Sequence, residues 1–130
     1  DMPFAQTWGP WVAGAERSFT PQNASQAAHW TTRYPTAALF PMAALVRLAK
    51  GADHGAINTP LLALFSTDDQ VVSPDATRAV LQAWGGPVQM EQRVMREGDD
   101  PYAHVIAGDI MSPAQTDETV AIISAWARGL

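Results

Sequence analysis

The chain has no cysteine among its 130 residues. That excludes disulfides, thiolate catalysis and cysteine-bound structural zinc, and it leaves the redox compartment open. Positive charge is scarce, with 8 Lys+Arg against 13 Asp+Glu and a formal net charge of −5. The basic residues are scattered and form no stripe of the kind a phosphate backbone demands, so nucleic acid is not expected as a partner. Apolar runs are short, none approaching the roughly 20 residues of a membrane helix, and no membrane span is expected. Asp1-Met2-Pro3 does not open a charged-then-apolar signal peptide. The chain reads as soluble, with the cytoplasm slightly favoured, and Asp1 is not read as a natural start. No repeat or low-complexity segment occurs. What is present is an ordinary globular composition, 47% hydrophobic and 16% charged, in a length that suits one domain.

Two regions differ in pattern. Residues 1–57 carry Phe4, Trp8, Trp11, Phe19, Trp30, Tyr34 and Phe40, interrupted by Pro3, Pro10, Pro21, Pro35 and Pro41. Such spacing permits short helices and no long regular element. Thr20-Pro21 predicts an N-cap with proline at the first helical position and a helix near 21–31. Met42, Leu45, Val46 and Leu48 predict a second helix from Pro41 to Lys50, ended by Gly51. From residue 58 onward strand and helix alternate, the signature of a parallel α/β layer. Leu61 to Phe65 is a continuous apolar strand, Ser73-Pro74 opens a helix that stops at Gly85-Gly86, and Val88, Met90 and Val94 alternate with polar residues as in a strand near a sheet edge. Ser112-Pro113-Ala114-Gln115 reads as a capping box. It precedes a last helix whose apolar stripe is Val120, Ile123, Trp126 and Ala127.

The first strand of this region stops at the acids Asp68-Asp69, and the second is followed by His104 in a loop. Adjacent parallel strands joined by one crossover helix end at the same sheet edge, so an acid and an imidazole are expected to meet there. A carboxylate on one ring nitrogen fixes the tautomer of a histidine and leaves the other nitrogen free to accept a proton. The inventory is nevertheless short of a sheet. A strand as apolar as Leu61 to Phe65 needs a neighbour on each side, and one is encoded. Either an amino-terminal half or another chain is expected to complete it.

Residues 59–130 resemble the carboxyl half of an α/β-hydrolase. The segment Ser66-Thr67-Asp68-Asp69-Gln70-Val71-Val72 is similar to the family's acid loop, and that register selects Asp69. His104-Val105-Ile106-Ala107-Gly108-Asp109 is similar to the histidine loop of bacterial esterases and lipases of the monoacylglycerol lipase and lysophospholipase kind. The aromatic segment before them occupies the place of the family's cap, and Trp30-Thr31-Thr32-Arg33-Tyr34-Pro35 with Ala38-Leu39-Phe40-Pro41-Met42 resembles the cap of some members. The resemblance implies an α/β fold containing the last two parallel strands with flanking helices, preceded by a helical cap over 1–57. It further implies a Ser-His-Asp ester hydrolase without a cofactor, acting on a small-molecule ester. In it Asp69 orients His104, and Trp8, Trp11, Trp30, Tyr34 and Phe40 shape an acyl site. The family's Gly-x-Ser-x-Gly elbow is absent: Ser18, Ser25, Ser66, Ser73, Ser112 and Ser124 all lack flanking glycines. The nucleophile is therefore expected upstream of Asp1.

Each feature also has a plainer reading. Asp68 suits a turn, Asp99-Asp100 a solvated turn before Pro101 in which Asp100 helps fix the histidine loop, and Asp109 a backbone acceptor near the last helix. His29 and His54 lack a chemical context. The aromatics serve core packing as well as they serve an acyl pocket. No metal is expected, because no pair of ligands has helical spacing. The alternative function is a non-enzymatic or degenerate α/β module that binds an apolar ligand or a protein partner. The fold also hosts peptidases, dehalogenases and carbon–carbon bond hydrolases, so the reaction is not set by the fold.

Overall fold

A computed structural model describes residues 14–130. The chain divides into two compact units between Ala52 and Asp53, each with its own two-stranded sheet.

In the first unit β1 (Glu16–Ser18) pairs antiparallel with β2 (Arg33–Pro35), with Ser18 opposite Arg33. The Arg33 guanidinium donates to the Glu16 carboxylate, an exposed pair that contributes little. Thr36, buried, secures the hairpin through its hydroxyl to the Gly14 carbonyl (2.6 Å) and its amide to the Ala15 carbonyl (2.9 Å). Helix α1 (Ala24–His29) starts later than Thr20-Pro21 predicts. Asn23 is its N-cap and accepts from the Gln26 amide (2.8 Å), while the Gln26 side chain turns back to accept from the Gln22 amide (2.7 Å). Asparagine caps more strongly than threonine, and the return bond occupies a further amide at the helix start. Helix α2 (Leu39–Lys50) ends at Gly51 as expected, and Pro41 lies in its first turn, where an N–H has no helical acceptor. The apolar positions Met42, Leu45, Val46 and Leu48 of α2 are all exposed.

The second unit is a small α/β domain. Strand β3 (Leu61–Ser66) runs parallel to β4 (Val88–Arg93) in the register Leu61 opposite Val88 to Ser66 opposite Arg93. Between them α3 (Pro74–Ala83) is capped by Ser73, whose hydroxyl accepts from the Ala76 amide (3.2 Å), with Pro74 at the first helical position. Side chains alternate across a strand, so Phe65 lies on one face of the sheet and Arg93 on the other. Phe65 is buried together with Leu81 of α3, under the Arg78 guanidinium at 5.7 Å. Arg93 faces α4 (Thr116–Arg128) and is 7% exposed. It donates to Gln115 (2.7 Å) and to Glu118 (2.9 Å). The sheet thus has a helix on each face.

Ser112 and Gln115 form no capping box: a single 3-10 turn, Pro113–Gln115, precedes α4, and neither side chain caps it. Both side chains are buried and bonded to distant partners instead, Gln115 to Arg93, to the Val94 carbonyl (3.0 Å) and to Asp99 (2.9 Å). Along β4 burial does not follow the alternation of the sequence: Arg93 is buried, Val88 and Glu91 are half-buried, and Gln89, Met90 (52% exposed) and the following Val94 are exposed. On α4 the buried position is Thr119. Val120 and Ile123 of the predicted stripe are exposed, as is Ala127, and only Trp126 is half-buried. Apolar side chains gain from burial only where a layer covers them, and Val120 and Ile123 of α4 are left exposed among the described residues. Nor does any described strand pair with the second edge of β3. No described helix is long and apolar enough to cross a membrane.

Where α3 hands over to β4, the backbone passes very close to the segment that leads into β3. A Cβ on Gly85 would stand 2.0 Å from the Gly55 carbonyl oxygen, and one on Gly86 would stand 2.4 Å from that of Thr59. Trp84 locks the same contact, its indole N–H donating to the Thr59 carbonyl (2.9 Å). Gly86→Ala is therefore expected to destabilise the second unit by about 2–3 kcal/mol, because backbone must move to admit the methyl group. Urea unfolding of the variant at pH 7 checks this, with Gly129→Ala as the control, since its φ of −90° suits any residue and the nearest atom to its Cβ position is the Trp126 carbonyl oxygen at 3.4 Å.

Candidate functional site

Past Ser66 the chain turns. The buried Ser66 hydroxyl accepts from the Asp68 amide (3.1 Å), which leaves Asp68 exposed and turns Asp69 inward. The Asp69 side chain is 11% exposed. One of its oxygens, Oδ1, accepts from the amides of Val71 (2.7 Å) and Val72 (2.9 Å), so the carboxylate is held by its own loop. The other, Oδ2, lies 3.0 Å from Nδ1 of His104, which is 40% exposed. A carboxylate accepts, so Nδ1–H is the donor of this bond. Among the described residues Nε2 has no hydrogen-bond partner. Burial raises the Asp69 pKa, but the bond from His104, the amides of Val72 and Val71 and the charge of the imidazole together outweigh it. The carboxyl is held below its ordinary value.

The histidine loop is built around a second carboxylate. Asp100 is 3% exposed, in contrast to the solvated turn expected there. Its Oδ1 accepts from the Tyr102 amide (3.2 Å), and its Oδ2 from the amides of His104 (3.1 Å) and Val105 (2.9 Å). Its own amide donates to Ser112 Oγ (3.1 Å), and that hydroxyl donates to the Val105 carbonyl. Ala103, inside this turn, has φ of 52°, a left-handed conformation that costs a non-glycine residue roughly 1 kcal/mol and persists only where its surroundings impose it. Asp99 turns the other way. Its Oδ2 accepts from the Arg96 amide (2.8 Å) and from Gln115, tying the loop to α4. The acid and histidine loops are joined directly by Gln70, whose amide donates to the Tyr102 carbonyl (2.9 Å) and whose side chain donates to the Pro101 carbonyl (3.2 Å).

Of the residues singled out in the sequence, Asp69 and His104 are thus in contact. Trp8 and Trp11 lie outside the described residues. Trp30 follows α1, Tyr34 is half-buried in β2 and Phe40 is half-buried at the start of α2, all within the first unit. Asp109 accepts from the Thr116 hydroxyl (3.2 Å). His29 bonds the Ser25 carbonyl within α1 and His54 lies by Trp84, both local roles. Among the described residues no three His, Asp or Glu side chains are placed to hold a metal ion. Gln70 and Ser112 carry structural roles at this site that the sequence analysis did not assign. Gln70 has no local signature, since its partners are 31 and more residues away. Asp100 has one: an aspartate before proline whose side chain can accept the amide two residues on.

The arrangement can orient an imidazole and supply a proton acceptor, the requirements of general acid–base chemistry. It holds no nucleophile: no described hydroxyl bonds His104, and the nearby Ser66 and Ser112 are buried with their own partners. The chain matches no protein-family model, no curated protein and no solved structure.

A carboxyl whose folded pKa is depressed adds stability above its unfolded pKa, near 4, and that stability is lost as pH falls through the lower folded value. Asp69→Asn is expected to lower the urea midpoint more at pH 7 than at pH 2.5, because progressive protonation of the wild-type carboxyl removes the difference as pH falls. Equal losses at both pH values would show that the charge is not what stabilises the loop.

Proposed function

We propose that this chain is the carboxyl-terminal part of a serine hydrolase of the α/β-hydrolase fold that cleaves carboxylic esters, its nucleophilic serine lying on upstream sequence. The observation that carries this reading is the 3.0 Å contact of Asp69 Oδ2 with His104 Nδ1, with Oδ1 anchored by two amides and Nε2 left open. In this reading Asp69 holds the imidazole in the Nδ1–H tautomer. His104 Nε2 removes the proton of the serine as it attacks the ester carbonyl and returns that proton to the departing alcohol. It then deprotonates a water that attacks the acyl-enzyme. The upstream half also supplies the oxyanion donors and a strand for the free edge of β3. No cofactor takes part.

The test uses the complete polypeptide encoded by the natural reading frame. It is expected to hydrolyse p-nitrophenyl butyrate and to be labelled by a fluorophosphonate, whereas residues 1–130 alone stay at background. His104→Ala and Asp69→Asn are each expected to lower kcat by about ten-thousand-fold with the fold retained, and Asp68→Asn by less than about threefold. A complete polypeptide that is neither labelled nor active, or one indifferent to His104→Ala, overturns the proposal.

A further inference from the structure

The proposed chemistry needs the His104 ring held closely in place, yet among the described residues its only side-chain bond is to Asp69, across a partly open surface. Asp100 supplies what that bond lacks. Its three accepted amides, those of Tyr102, His104 and Val105, belong to the residues on which the direction of the ring depends. The turn closes with the Ala103 amide on the Asp100 carbonyl (2.9 Å). Ala103 stays left-handed inside it, buried at 5% exposure. The Tyr102 carbonyl, fixed by the same turn, receives the Gln70 amide one residue from Asp69. One buried carboxylate therefore sets both the conformation of the histidine loop and its registration on the acid loop. An amide in place of that carboxylate would keep one acceptor oxygen and turn an N–H group toward backbone N–H donors, so at least one donor would be left without a partner.

We infer that Asp100 is a positioning residue for the reaction: through the amides of Tyr102, His104 and Val105 and through the Tyr102–Gln70 link, it holds the His104 imidazole on Asp69 with Nε2 presented outward. It touches no reacting atom. This role rests on the hydrolase reading for its catalytic meaning, but the geometry it asserts can be measured without turnover.

The experiment compares the complete polypeptide with its Asp100→Asn variant, using the ring ¹⁵N shifts of His104 to read the tautomer alongside kcat and KM for p-nitrophenyl butyrate. Wild type is expected to hold the Nδ1–H tautomer. Asp100→Asn is expected to give a mixture of tautomers, a kcat lower by about 100-fold and a KM within twofold of wild type. If Asp100→Asn does not fold, Ser112→Ala takes its place. That change removes the hydroxyl that accepts the Asp100 amide and bonds the Val105 carbonyl, and the same tautomer mixing with about a tenfold loss in kcat is expected. Wild-type shifts and kcat in the folded variant, whatever its Tm, overturn the inference, because a role confined to stability would move Tm alone. A wild-type His104 not held in the Nδ1–H tautomer overturns it as well. If wild type is inactive but its tautomer is fixed and is lost in Asp100→Asn, the positioning role stands and the esterase reading falls.

Discussion

The parallel register of β3 on β4 is the constraint from which the site follows. Because Ser66 lies opposite Arg93, the two strands finish level, and the chain leaves both at one edge of the sheet. The acid loop and the segment leading to the histidine loop then start from fixed points. Ser66 uses its hydroxyl to turn the chain through Asp68, and Gln70 bonds the carbonyls of Pro101 and Tyr102. A slip of one residue between the strands would set Phe65 and Arg93 on the same face, taking one of them from its helix.

What packs at that edge is polar. Arg93, Asp99, Asp100, Ser112, Gln115 and Thr119 are buried, beside the apolar Phe65, Leu81, Ala103 and Met111. Hydrogen bonds to charged groups contribute roughly 1.5–3 kcal/mol each, and a lost partner leaves a buried group unsatisfied at similar cost. Such a network is directional in a way an apolar core is not. It admits few loop conformations, and that is why a non-glycine residue can be kept left-handed at Ala103 and why two exposed-looking loops meet at hydrogen-bonding distance. Adjacent aspartates divide the work: Asp99 ties the loop to α4 through Gln115, and Asp100 shapes the turn that carries His104.

The apolar residues tell the complementary part. Met90 and Val94 beside the sheet, Val120 and Ile123 on α4, and Met42, Leu45 and Leu48 on α2 are exposed, and β3 has one edge unpaired among the described residues. The composition holds enough apolar surface for a larger core than the second unit forms.

Much of the second unit was legible from local pattern. An unbroken apolar run marks β3, Ser73-Pro74 and Gly85-Gly86 bound α3, and the order strand, helix, strand puts Asp69 and His104 at one edge of the sheet. These are properties of backbone conformation and chain topology, which neighbouring residues dictate. Burial was not legible. Val120, Ile123 and Ala127 have helical periodicity yet are exposed, and Ser112 and Gln115 match a capping box yet are drawn to Asp100, Arg93 and Asp99. The sequence by itself determined where strands and helices run and which end of the sheet bears the acid and the imidazole. Only the tertiary structure decided which face is covered and which carboxylate builds the histidine turn, because those outcomes depend on partners many residues away, and no local window contains them.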